Sequence, residues 1–154
     1  MNTGYSTDET KISDVLIVED DPVQREEMAG YLTRVGLSVT VAPNCAAALA
    51  GATVVRPKVI VIDYNLPDGT GLHLAEKMRV LLPRAAIMLA SARVEGLSEE
   101  TLDRIRISVF LNKPLPLQAW RQAVLRLVKD GPSANQERSW LSAGLGSPRP
   151  LTPR

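Results

Sequence analysis

The chain has 154 residues, 45% of them apolar, and a formal net charge of +1 at neutral pH. That length and composition suit one globular domain with a real core, and so even a charge balance gives no overall attraction to nucleic acid or to an anionic membrane. No apolar run approaches the roughly 20 residues of a membrane-spanning helix, the polar start MNTGYSTDETK lacks a signal core, and the single cysteine, Cys45, excludes an internal disulfide, so a cytoplasmic, reducing setting is expected.

Apolar and amphipathic runs then alternate five times. The first strand, Val15–Val18, ends in the acidic run Glu19-Asp20-Asp21, and Pro22 suits the first turn of a helix that stops at Gly36. A second strand, Leu37–Val41, leads to an alanine-rich helix opened by Pro43 and ending near Gly51. The third strand, Val59–Ile62, runs into Asp63, and its helix spans about Thr70 to Leu82 before Pro83 stops it. The fourth strand, Ala85–Ala90, ends at Ser91, and Ser98 with Glu99 and Glu100 forms the cap and first turn of the next helix. The fifth strand, Ser108–Leu111, leads to Lys113-Pro114. A helix from about Pro116 to Lys129 follows, with Trp120, Val124, Leu127 and Val128 on one face, and Gly131-Pro132 halts it. Several strands are apolar at consecutive positions, as parallel strands covered on both faces require. Five such repeats predict an α/β fold, a doubly wound five-stranded parallel sheet with five helices. Residues 13–130 form the domain. Residues 1–12 and the Gly-, Ser-, Pro- and Arg-rich residues 131–154 read as flexible segments.

In such a sheet, ligands bind beyond the carboxyl ends of the strands. That edge collects Glu19, Asp20 and Asp21, then Asp63, Ser91 and Lys113. Two carboxylates about 4 Å apart repel by roughly 4 kcal/mol at an effective dielectric near 20, so the group calls for a cation. Grouped carboxylates with a backbone carbonyl make a hard oxygen site suited to Mg²⁺. Lys113 adds a compact positive charge that can neutralise an anion on Asp63, and Ser91 adds a hydroxyl donor. A carboxylate so flanked is arranged to accept a phosphoryl group, a transfer that depends mostly on positioning and charge neutralisation.

LIVEDDP, VIDYNLPDGTG, LASA and VFLNKP, in that order and spacing, resemble the receiver domain of bacterial two-component response regulators, over about Ser13 to Asp130. The resemblance implies the flavodoxin-like (β/α)5 receiver fold of a single-domain signalling switch in a phosphorelay, and not an enzyme. Asp63 would be the phosphoacceptor, assisted by Lys113 and Ser91. Asp20 would bind Mg²⁺ directly and Glu19 through water, with Asp63 and the backbone carbonyl of Asn65 completing the site. Ser91 and Phe110 fill the switch positions, where Thr and Tyr are common in the family, and Lys113–Pro114 is a candidate cis peptide. The phosphodonor would be a sensor histidine kinase or phosphotransfer protein. Output would pass to a protein partner through the face of the fourth helix, fifth strand and fifth helix, which leaves room for a homodimer. No nucleic-acid or membrane partner is expected. Two alternatives remain: a phosphorylation-independent docking receiver, and an aspartate-nucleophile phosphohydrolase. The second is disfavoured by Asn65, since those enzymes typically carry an acid two residues after the nucleophile.

Other features read as structural. Asp21 suits a helix cap, His73 a helix face, and Cys45 a small residue on a helix. Gly69-Thr70-Gly71 lacks the third glycine of a dinucleotide-binding turn, because position 74 is Leu74.

Overall fold

The consecutively apolar runs become strands covered on both sides. In the computed structural model, which describes residues 12–92 and 97–132, β1 (Val15–Val18), β3 (Val59–Asp63) and β6 (Ala86–Ser91) are buried at every position. With β2 (Val39–Ala42) and β7 (Val109–Asn112) they form one parallel sheet in the order β2-β1-β3-β6-β7. The helices are α1 (Pro22–Arg34), α2 (Cys45–Val55), α3 (Gly71–Leu81), α4 (Glu99–Ile105) and α5 (Leu117–Asp130). This is the flavodoxin-like doubly wound order, and its direction reverses between β1 and β3.

Successive strand side chains point to opposite faces, so the sheet divides the core in two. Leu16, Ile60, Ile62, Ile87, Leu89 and Phe110 pack with Ala48 and Ala52 of α2, Leu74 and Met78 of α3, and Leu102 and Ile105 of α4. Val15, Ile17, Val61, Met88 and Leu111 pack with Met28 and Leu32 of α1 and with Trp120, Val124 and Leu127 of α5. Trp120 is fully buried, and a large apolar side chain so placed contributes about 1.5–3 kcal/mol.

The helix starts follow local chemistry. Asp21 caps α1 by accepting from the Val23 and Gln24 amides, Asn44 caps α2 through the Ala47 amide, and Ser98 caps α4 through the Thr101 amide. Several boundaries differ from the sequence expectation, three of them with a clear local cause. The second helix starts at Cys45 rather than Pro43, because Asn44 supplies the cap, and it runs through Gly51 to Val55. Apart from its chain neighbours and the helix's own backbone, nothing lies within 4 Å of a Cβ position at Gly51, and the helix continues through it. The stop comes from Arg56, whose left-handed backbone lets its N–H donate to the Ala52 carbonyl. The second strand starts at Val39, not Leu37, because the Leu37 amide still closes the end of α1 on the Leu32 carbonyl.

A further element carries no periodic signal. β4 (Asn65–Leu66) and β5 (Gly69–Thr70) pair antiparallel in a two-residue hairpin between β3 and α3. The flexible segments expected at 1–12 and 131–154 lie, apart from residues 12, 131 and 132, outside the described residues. Gly131 serves as the cap of α5.

Candidate functional site

The reversal between β1 and β3 opens the carboxyl edge of the sheet, and both strands end there in acids. Glu19 follows β1 and is 2% exposed, while Asp63 ends β3 and is 7% exposed. Asp20, one residue further on, is exposed. Oxygens of these three carboxylates all lie within 4.8 Å of one another. Carboxylates so close repel one another, and a cation among them relieves that repulsion.

The structure supplies one such cation from the end of β7. The Lys113 ammonium donates to Glu19 Oε1 at 2.9 Å and lies 3.0 Å from Asp63 Oδ1. Its backbone is fixed by a hydrogen bond from its N–H to the Ser91 carbonyl and precedes a cis Lys113–Pro114 bond. Burial alone would lower the Lys113 pKa, but its hydrogen bonds to Glu19 and Asp63, with the charges of those acids, outweigh it and raise the net value. Asp63 is also raised, first by burial and then by the charges of Glu19 and Asp20, against the opposing effect of Lys113. The two directions are compatible: the ammonium answers to two carboxylates, whereas Asp63 must share its cation with Glu19.

Glu19 is more constrained than a free ligand. Its second oxygen accepts from the Asp21 amide at 3.2 Å, so both oxygens already have a donor. Below it, Arg25 donates to the Glu19 carbonyl at 2.9 Å and to the Asp20 carbonyl at 3.3 Å. Arg25 thereby braces the turn that presents both acids. Asp21 has no part in the acidic group itself. Its carboxylate caps α1, and the Gln24 side chain and the Gln24 and Val23 amides hold its pKa below the ordinary value.

The other expected residues fall around this centre. Ser91 ends β6, fully buried, and pairs in register with Asn112 of β7. Phe110 is buried on the side of the sheet that carries α3 and α4. Alternation along β6 sends Ser91 to the same side, because Ile87 and Leu89 lie there. Asn65 is exposed on the hairpin strand β4. His73 is exposed on α3 beside Glu76, and Cys45 opens α2 with a pKa pushed up to about 11 by burial and by Asp68.

Two contributors go beyond the sequence reading. Gln24 accepts from the Lys113 ammonium at 3.2 Å. It stands three residues after the capping Asp21, the spacing of a capping box, which is the one local signal that could have found it. Gly71 is the second. A Cβ there would overlap the Asp63 carbonyl and come within 2.8 Å of Tyr64 Cα and 2.9 Å of Ile62 Cγ2. The glycine therefore lets α3 start directly against the strand end that carries Asp63, a packing reason for the glycine where no dinucleotide is involved.

The carboxylate set fits Mg²⁺ by its chemistry: all three groups offer hard oxygen donors in reach of one another, Asp20 exposed and Glu19 and Asp63 buried.

The chain resembles known proteins in sequence and in fold. The sequence model of the response regulator receiver domain matches residues 15–125. The chain is 33% identical over 119 residues to "Probable transcriptional regulatory protein TcrX" of Mycobacterium tuberculosis, covering 73% of this chain and 47% of that protein. It is 34% identical over 112 residues to an uncharacterized 14.6 kDa protein of Leptolyngbya boryana, covering 70% of this chain and 85% of that one. Among solved structures, a CheY-like receiver domain protein from Methanospirillum hungatei JF-1 superposes with a TM-score of 0.73 at 19% identity, over 78% of this chain and 96% of that chain. The last likeness concerns the fold. The chain spans about half, or less, of the length of several curated relatives that it matches.

Proposed function

The chain belongs to the response regulator receiver domain family, and from that premise we propose that Asp63 accepts a phosphoryl group from a histidine kinase or phosphotransfer protein and that the modified domain signals to a protein partner. The observation that carries the reading is the Lys113 ammonium set 2.9 Å from Glu19 and 3.0 Å from Asp63, at the switch point of the sheet.

In the proposed step an Asp63 carboxylate oxygen forms the new P–O bond as the bond from phosphorus to the donor breaks. Lys113 lies where it can neutralise charge on the incoming group, and its contact with Asp63 Oδ1 helps to hold the carboxylate in place. Glu19, Asp20, Asp63 and the Asn65 carbonyl are the groups that would hold Mg²⁺, with Glu19 reached indirectly since both its oxygens have protein donors. When bound, Mg²⁺ supplies positive charge against the phosphoryl oxygens.

The product carries about −1.5 to −2 charge on its phosphate where the free carboxylate carried a single negative charge, and it brings strong acceptors to the carboxyl edge. Ser91 is the hydroxyl on the adjacent strand that can turn to those acceptors. Phe110 lies beside it on β7, packed in the cluster that includes Leu102 and Ile105 of α4. A change at Ser91 thus reaches β7 and α4 through one packed cluster, which supports that side of the sheet as part of the output surface.

The experiment is treatment with acetyl phosphate and Mg²⁺, read by intact mass. The wild-type chain should gain one phosphoryl group and Asp63→Asn none, with the fold of the variant intact. Full labelling of Asp63→Asn would sink the assignment, and a wild type that never labels would favour a docking role instead.

A further inference from the structure

Lys113 is an ammonium on a flexible four-carbon stem, yet three acceptors surround it. Its three N–H groups meet Glu19 Oε1 at 2.9 Å, Asp63 Oδ1 at 3.0 Å and Gln24 Oε1 at 3.2 Å. The first two contacts pull it toward the acids at the strand ends. The third comes from α1 and is the only neutral one. Gln24 is itself held, since its amide nitrogen donates to Asp21 Oδ2 at 3.2 Å while Asp21 Oδ1 accepts from the Val23 amide at 2.9 Å. Chemistry fixes which end of the amide faces which group. The reverse orientation would set an NH₂ against the ammonium and a carbonyl against the carboxylate.

We infer that Gln24 is a positioning residue for the reaction at Asp63: anchored by the cap of α1, it holds the Lys113 ammonium in line with the phosphoacceptor. The inference rests on the phosphoacceptor reading of Asp63. The Gln24 amide offers a donor to Asp21 and an acceptor to Lys113 at once, which a carboxylate beside Asp21 does not. It also ties the first turn of α1 to the chemistry through the chain Asp21, Gln24, Lys113.

The test measures the rate of Asp63 labelling by acetyl phosphate with Mg²⁺, and the thermal midpoint, in four chains: wild type, Gln24→Met, Gln24→Glu and the double variant Asp21→Asn with Gln24→Glu. Methionine keeps the length and loses both hydrogen bonds. Labelling should slow roughly three- to tenfold, the scale of one hydrogen bond, with the midpoint within about 3 °C of wild type for a change of this size at a partly exposed site. Gln24→Glu sets a carboxylate against Asp21 and should be slow as well. The double variant exchanges acid and amide at the same total charge, keeps an Asn cap, and should recover at least about half the wild-type rate, since the lost hydrogen bond is remade. A helix-stability role alone would make the rate follow the thermal midpoint across the four chains, whereas positioning separates the two. Wild-type labelling in Gln24→Met, or a double variant no faster than Gln24→Glu, would overturn the inference. A wild type that does not label would overturn the phosphoacceptor reading and this inference with it.

Discussion

Gly71→Ala places one methyl group against the strand end that carries the phosphoacceptor. The added Cβ would overlap the Asp63 carbonyl and sit 2.8 Å from Tyr64 Cα and 2.9 Å from Ile62 Cγ2. Two of those three neighbours are backbone atoms, so no rotamer change relieves the contact. The same glycine donates its N–H to the Tyr64 carbonyl at 2.6 Å, which ties α3 to the strand and resists separation. Overpacking of this kind costs about 1–3 kcal/mol. Alanine recovers up to about 1 kcal/mol of helix propensity in an interior position, and less at the first residue of α3. The expected net loss is about 1–2 kcal/mol, a fall of roughly 4–8 °C in Tm for a domain of this size. Because the displaced backbone is that of Asp63, labelling by acetyl phosphate should slow in the same variant. Differential scanning calorimetry gives the first quantity and intact mass the second. A Tm within about 1 °C of wild type, smaller than the shift expected for such a cost, would refute the close approach.

Mg²⁺ affinity, by isothermal titration, should fall more in Asp20→Asn than in Asp21→Asn, because the Asp21 carboxylate is committed to the α1 cap; equal losses would show the acidic pair misplaced. Arg79→Met should destabilise the fold by about 1–3 kcal/mol in urea, since the half-buried guanidinium donates to the Ile105, Arg106, Pro83 and Ala85 carbonyls. A urea midpoint equal to wild type would contradict that role. Iodoacetamide should react slowly with Cys45 at pH 8 and faster with rising pH up to about 11, where burial and Asp68 place the thiol. Asp68→Asn should speed the reaction, and an unchanged pH profile in that variant would exclude Asp68 as a cause. Asp68 accepts from the Cys45 and Ala46 amides, and the Cys45 contact leads in holding its pKa below the usual 3.8. A depressed folded value means its contribution is present above pH 3.8 and is lost as pH falls through the lower folded pKa. The acid limb of wild-type stability below that point should therefore be steeper than that of Asp68→Asn, and superimposable limbs would argue against the cap.

The sequence by itself determined the elements whose causes are local. Consecutive apolar residues made β1, β3 and β6, and Asp21, Ser98 and Gly131 marked helix ends through side-chain or backbone chemistry confined to one turn. The sequence also placed Glu19, Asp63, Ser91 and Lys113 at strand ends, because the βα repeat puts every such end on the same edge. It misplaced the start of α2, where Asn44 competes with Pro43, and its end, where a glycine in a helix of small residues is tolerated and an arginine takes the left-handed cap. The hairpin of β4 and β5 left no trace, since two residues per strand cannot show a period.

Tertiary structure alone decided who shares the lysine. Glu19 and Lys113 lie 94 residues apart, and Gln24 and Lys113 89 apart. Their meeting depends on strand order, on the seat of α1 against the sheet and on the reach of one side chain. Spacing along the chain encodes none of these. Arg79 shows the same limit, for its acceptors are backbone carbonyls, which every residue possesses and no sequence pattern distinguishes. Gly71 shows it again, because its lack of a side chain matters only once Asp63 is folded against it.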